Sequence, residues 1–163
     1  MSVVIRPTRA SDSPALYESW QTMRTHNAGV DPRIVLATVS EQDFADATAA
    51  ILERDESASF VAEEEGRLVG FITGGVEANQ PDRLPERHVT VGYLYIDPSA
   101  RRQGVAKRLV GSFAEWAKTQ DGVSHLEMTV LAADTEAAAF WREAGFTPFI
   151  QRLWMPLDGG RQS

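Results

Sequence analysis

The stretch YIDPSARRQGVAKRLV, Tyr95–Val110, changes character halfway along. It starts as the end of an apolar strand, passes Pro98 and the paired Arg101 and Arg102, and becomes a helix after Gly104. Val105, Leu109, Phe113 and Trp116 then recur at helical spacing. The first N–H groups of a helix lack internal partners, and the aligned peptide dipoles make that end partly positive. Such an end suits an anion, phosphate above all. Gly104 lets the backbone approach a ligand closely, and Ala106 keeps the next turn small. Arg101, Arg102, Lys107 and Arg108 concentrate positive charge here, on a chain of formal net charge -7. A local reversal of sign at a helix start points to a polyanionic ligand. Gly104 alone is better read as a turn residue, and the basic side chains alone can be read as a solvated face. Their assembly behind a strand and a proline is what carries weight. G-x-G-x-x-G and Gly-Lys-Ser/Thr are both missing, so this is neither a dinucleotide fingerprint nor a Walker A loop.

The neighbouring segments supply the rest of a fold. Upstream, His88 to Asp97 is rich in β-branched and aromatic residues and reads as a strand. Before it, SASFVAEEEGRLVGFITGGV reads as a hairpin turning at Glu65-Gly66, with Gly74-Gly75 expected to bend or end its second strand. EANQPDRLPER is a polar loop. Val3 to Arg6 forms a first strand, and Asp12-Ser13-Pro14 starts a helix with Leu16, Trp20 and Met23 on one face, broken by NAGVDPR. Ser40-x-x-Asp43 resembles a capping box ahead of Phe44, Ala47 and Ile51. Downstream, Gly122 sits where a helix C-cap is expected. His125 to Leu131 alternates, with Leu126, Met128 and Val130 on one side. Asp134 caps a short helix ending at Gly145. FTPFIQRLWMPL supplies a last strand or hairpin, which Pro148 and Pro156 confine to edges or bulges. This order predicts a mixed α/β (α+β) sheet with helices on its faces.

With 163 residues and no repeat or linker, the chain is read as one domain over residues 1–158, with 159–163 a disordered tail. The absence of cysteine excludes disulfides, thiolate zinc sites and a cysteine nucleophile. The acidic balance argues against nucleic acid as a partner. No apolar run is long enough to span a membrane, and no signal peptide is recognisable, so a cytoplasmic location is expected.

LYIDPSARRQGVAKRL resembles the signature of the GNAT superfamily of N-acetyltransferases. The family's acetyl-CoA loop, Arg/Gln-x-x-Gly-x-Gly/Ala, is matched by Arg101-Arg102-Gln103-Gly104-Val105-Ala106, and the preceding apolar-x-apolar-x-Pro by Leu94-Tyr95-Ile96-Asp97-Pro98. A second family segment, Asn-x-x-Ala-x-x-x-Tyr followed by Gly-Phe, is matched by DTEAAAFWREAGF, Asp134–Phe146. The element order agrees from Val3 to Leu157. The resemblance implies a GNAT-like fold with a mostly antiparallel sheet, acetyl-CoA as cosubstrate, no metal, and an amine acceptor. It also implies that the amides of Gln103 to Ala106, with Lys107 beside them, hold the pyrophosphate. The pantetheine arm would pair with Leu94, Tyr95 and Ile96 where that strand splays from its neighbour. A homodimer through the C-terminal strands is compatible with the resemblance.

The match departs from the family at two positions. Asp134 replaces the usual asparagine and, ionised, only accepts hydrogen bonds; a helix cap is the favoured reading, beside Ala137 in the cofactor segment. Trp141 replaces the usual tyrosine, and an indole N–H donates a hydrogen bond without releasing its proton, so Trp141 is read as a wall of the acyl site. Glu86, His88 and Tyr93 are the catalytic candidates, with His125, Glu127 and His26 as further residues of the cleft. The competing reading is a non-catalytic acyl-CoA-binding or sensing module.

Overall fold

The computed structural model describes residues 2–158, and the tail expected over 159–163 lies outside them. The chain runs β1 (Val4–Pro7), α1 (Ser13–Val30), α2 (Glu41–Leu52), β2 (Ser57–Glu64), β3 (Arg67–Ala78), β4 (Arg87–Ile96), α3 (Val105–Ala117), β5 (Val123–Met128) and α4 (Thr135–Glu143). The strands form one sheet in sequence order, antiparallel except for the parallel β4–β5 pair. This is the expected mixed α+β architecture.

Local chemistry explains most boundaries. Glu65 and Gly66, at φ 50° and 79°, form the tight turn between β2 and β3. Ser40 caps α2 by accepting from the Asp43 amide at 3.0 Å. Arg6 of β1 donates to both Asp12 and Glu63, tying the first strand to the α1 start and to β2. Two apolar layers cover the sheet. On one face Val105, Leu109, Phe113 and Ala117 of α3, with Trp141 of α4, bury against Val69, Ile72, Val89 and Val91. On the other, Leu16 joins Val61 and Phe71, flanked by Trp20 and Phe44. Burial of such side chains contributes about 1.5–3 kcal/mol each.

The structure departs from the sequence reading at five places. NAGVDPR ends α1 only at its fifth residue: the helix runs on to Val30 and so includes His26, and the stop comes at Asp31, extended (φ -136°, ψ 112°) ahead of Pro32, whose ring disfavours helical geometry there. Gly74 and Gly75 do not end β3. They carry it past a crowded point, since a Cβ on Gly74 would lie 2.0 Å from the Thr90 carbonyl oxygen and 2.8 Å from the Phe113 ring. Gly122 is not a helix cap, because α3 ends at Ala117 and Gly122 (φ 72°) turns the chain into β5. β5 stops at Met128 rather than Leu131, since its pairing with β4 ends there. The last strand expected in FTPFIQRLWMPL is not formed: Phe146 to Pro156 adopt no regular structure, and Pro148 and Pro156 lack the N–H a ladder needs. Phe149, Ile150, Leu153, Met155 and Leu157 are exposed there, and Trp154 lies under the Arg33 guanidinium at 5.3 Å.

Candidate active site

β4 is longer than its parallel partner, and this opens the sheet. The two strands pair up to Val91 and Met128, after which β4 continues to Ile96 paired with β3 alone. Against β3, Thr73 pairs with Tyr93 while Gly74 pairs with Val91, so Gly92 is an extra residue, a β-bulge. The bulge resets the alternation. Val89 and Val91 before it, and Leu94 and Ile96 after it, face the α3 layer. His88, Thr90, Tyr93 and Tyr95 therefore share the opposite face, where Tyr95 packs at 6.2 Å from Phe71. Burial raises the Tyr95 phenol above its usual pKa. The Asp97 N–H bonds the Val69 carbonyl at 2.8 Å, so residue 97 addresses β3. By the two-residue alternation of a ladder, Ile96 and Leu94 turn their N–H and C=O groups away from β3, toward the opening. The Ile96 carbonyl accepts from Arg101 Nε at 3.2 Å on that side.

The chain then crosses to α3 through a shaped loop. Asp97 caps a single 3-10 turn, Pro98–Ala100, by accepting from the Ser99 amide and hydroxyl. These bonds, with Arg67 and Arg101 nearby, hold the Asp97 carboxyl below its ordinary pKa. Arg102 and Gly104 are both left-handed, at φ 61° and 77°, a conformation that gathers successive N–H groups into an anion-binding concavity. Among the described residues no side chain caps this end, and the first bond into α3 runs from the Arg108 N–H to the Gly104 carbonyl at 3.1 Å. A Cβ on Gly104 would touch nothing within 4 Å, so the glycine serves the backbone turn and leaves open space above it. Arg101, Arg102, Gln103 and Lys107 are exposed. Arg108 is not part of this group: it reaches back to the Val3 carbonyl at 2.8 Å.

A polar cluster occupies the His88 face. Asn79 Nδ2 donates to the Pro85 carbonyl at 2.7 Å, which turns Oδ1 toward His88 Nδ1 at 2.6 Å and fixes an N–H there. His88 Nε2 lies 3.0 Å from the Thr90 hydroxyl, and that hydroxyl also reaches Glu77 at 3.1 Å. Glu127 of β5 stands 3.4 Å from His88 Nδ1 and 2.9 Å from His125 Nε2, with the two imidazoles stacked at 5.7 Å. His88, His125 and Glu127 offer ligand atoms within 4.8 Å of one another, a donor set of the kind zinc takes, though Asn79 and Thr90 already engage both His88 nitrogens. His88 is 8% exposed, and Tyr93 is 45% exposed.

The other candidates are dispersed. Glu86 is exposed, one residue ahead of β4, and among the described residues its side chain takes no hydrogen bond. Asp134 caps α4 by accepting from the Ala137 amide at 3.0 Å, so that amide is already engaged; its other oxygen lies 3.5 Å from His26. Trp141 is buried, edge-on to Phe140 (5.1 Å) and Phe146 (4.9 Å). Thr90, Glu77, Asn79 and the Gly92 bulge were not legible in advance, since nothing in EANQPDRLPER marks which polar side chain folds onto the sheet.

A mixed sheet opened between its last two strands, with an uncapped, glycine-led helix beside the opening, defines the acyl-CoA N-acyltransferase class. The chain belongs to the Acetyltransferase (GNAT) family, whose profile matches residues 14–146. N-acetyltransferase 8 of Homo sapiens is 32% identical over 104 residues, 64% of this chain and 44% of that protein. The L-2,4-diaminobutyric acid acetyltransferase of Streptomyces coelicolor is 31% identical over 117 residues, 72% of this chain and 57% of the relative. The chain therefore spans about half the length of these relatives. Among solved structures, a Bacillus halodurans protein superposes with TM-score 0.81 at 17% identity, covering 94% of this chain and 99% of that one. Aminoglycoside N-acetyltransferase AAC(6')-Iy, solved with CoA, gives 0.72 at 20% identity over 95% and 94%. At these identities the fold is what is shared. Among the described residues no helix is long and apolar enough to cross a membrane.

Proposed function

We propose that the protein is an acetyl-CoA-dependent N-acetyltransferase acting on a primary amine by direct attack in a ternary complex. The observation that carries this reading is the run of β4 past the end of β5 at Met128, which leads one unpaired backbone edge straight to the left-handed loop at the α3 start. Leu94 offers its outward N–H and C=O and Ile96 its outward N–H for the pantetheine amides, while Tyr95 between them addresses β3. The amides of Gln103 to Ala106, with Arg102 and Lys107 free in solvent, suit the pyrophosphate.

In the reaction the amine nitrogen bonds to the thioester carbonyl carbon, the carbon–sulfur bond breaks, and CoA leaves as the thiolate. A β4 amide past the Gly92 bulge is suited to receive the negative charge that builds on the carbonyl oxygen. The amine must shed a proton. His88 Nε2 is the acceptor in this reading, reached through water, because Asn79 holds the proton on Nδ1 and leaves Nε2 unprotonated, with only the Thr90 hydroxyl to be displaced from it. Once Nε2 is protonated, the Thr90 hydroxyl turns to Glu77, and Glu127 balances the new charge. Tyr93, exposed beside the bulge, is the donor toward the departing sulfur in this reading, a role closed to the indole of Trp141.

Calorimetry with CoA and thiol release from acetyl-CoA in the presence of amines test the reading together. Binding with amine-dependent release supports it. Binding with no release on any amine leaves only the CoA-binding module, and no binding at millimolar CoA defeats both.

A further inference from the structure

On the tyrosine-bearing face of the sheet, α1 and α2 leave a cavity of about 350 Å³, within the size range of small-molecule sites. Leu16, Trp20, Phe44, Ile51, Phe71 and Tyr93 form its apolar wall. Trp20 and Phe44 meet at 4.9 Å, so one end is a tilted aromatic corner. Two lining hydroxyls are already spoken for: Ser59 bonds Thr8 at 2.7 Å, and Thr73 donates to the Ala58 carbonyl at 3.3 Å. Asp43 is the one charged residue among those lining the cavity, and it is exposed. No cation lines the cavity among the described residues. At Tyr93 this surface meets the polar run of Thr90 and His88, with Glu77 and Glu127 beside them. A more open recess, about 530 Å³ between β1 and α3, lies at the other edge of the sheet and shares none of these residues.

From this juxtaposition we infer that the acceptor is a primary amine with a compact apolar tail, aromatic or branched, the tail seated between α1, α2 and Tyr93 and the ammonium on the Thr90 side. The inference rests on the acetyl-transfer reading and specifies its substrate class. Tail burial is favourable at about 25 cal/mol per Å². A second ammonium in the same space would find only the exposed Asp43, a water-screened partner at the rim, and over the apolar wall it would lose hydration that nothing there replaces. An α-carboxylate would meet no cation among the lining residues. Diamines, aminoglycosides and diamino acids are therefore disfavoured, and simple arylalkyl or branched alkyl amines are favoured.

The experiment uses the full chain with acetyl-CoA and compares phenethylamine and isoamylamine with putrescine, 2,4-diaminobutyrate and kanamycin, reading thiol release and, by calorimetry on CoA-saturated protein, amine binding. The expected result is kcat/KM, or affinity where turnover is slow, at least tenfold higher for the apolar amines. Ala47→Phe, an exposed α2 position on the cavity, should then raise KM for phenethylamine about tenfold and leave CoA affinity unchanged. Equal or better use of the polycationic or zwitterionic amines, no binding of phenethylamine to the CoA complex, or an indifferent Ala47→Phe overturns the inference while acetyl transfer stands. Failure to bind CoA at all overturns the underlying reading instead.

Discussion

Asn79 Oδ1 sits 2.6 Å from His88 Nδ1, and Asn79 is itself held by the Pro85 carbonyl, so the loop before β4 dictates which imidazole nitrogen carries the proton. This separates a catalytic from a positioning contribution. His88→Gln removes the proton acceptor and should lower kcat by roughly 100-fold or more, with KM for acetyl-CoA unchanged. Asn79→Ala leaves the imidazole in place with its tautomer unspecified, so a smaller loss and an altered pH–rate profile are expected, with Asn79→Gln restoring part of the rate. A pH profile unchanged in both variants would remove His88 from the proton path and leave the carboxylates of Glu77 or Glu127 to act.

Gly104 lets two effects be told apart, because its φ of 77° excludes most side chains while the space above it is empty. Gly104→Asn should fold with near-native stability, since asparagine tolerates the left-handed region. Its side chain would nevertheless stand in the opening beside the helix amides, and CoA affinity should fall at least tenfold. Melting curves and CoA titration measure the two separately. A variant that folds and binds CoA normally would show that the diphosphate lies elsewhere.

The fold was legible wherever one residue type does one local job. Ser40 capping α2, the Glu65-Gly66 turn, and the Val105, Leu109, Phe113 stripe are decided by chemistry within a few residues of sequence. What escaped depends on partners distant in the chain. Gly74 looks like a strand breaker until the Thr90 carbonyl and the Phe113 ring are seen pressing on it. Gly92 looks like an ordinary strand residue until β3 is laid alongside and the register skips. The same holds for the site. The glycine-led turn into α3 is a local backbone feature and was readable, whereas the grouping of Glu77, Asn79, His88 and Glu127 needs three strands in register. Arg108 illustrates the opposite error: its charge counts toward the loop in sequence, yet its side chain is spent on Val3 in space.

Trp141, read from the sequence as a wall of the acyl site in place of the family's usual tyrosine, is buried in the core, edge-on to Phe140 and Phe146. Trp141→Phe keeps the aromatic contact and removes volume, so a loss of about 1–3 kcal/mol in stability is expected. Turnover should stay within a few-fold of wild type at a temperature where both proteins are folded. A collapse in kcat with native melting behaviour would assign the indole N–H a direct part in the reaction.

Acid stability should report on the Arg6–Asp12 pair. Hydrogen bonding to Arg6 is the largest influence on the Asp12 carboxyl and holds it below its ordinary value of 3.8, with the Arg9 amide adding to the effect. A carboxylate whose pKa is depressed by folding stabilises the native state fully above the unfolded value and loses that contribution as the pH falls through the folded one. Asp12→Asn should therefore cost about 1–3 kcal/mol at neutral pH. Arg6 keeps Glu63 at 2.8 Å, which favours the lower end of that range. Below about pH 3.8 the gap between wild type and variant should start to narrow, because the unfolded carboxyl is being protonated, and it should close as the pH falls through the lower folded-state value. Urea unfolding at pH 7 and pH 3 measures it, and an equal gap at both pH values would mean that the pair contributes through packing rather than charge.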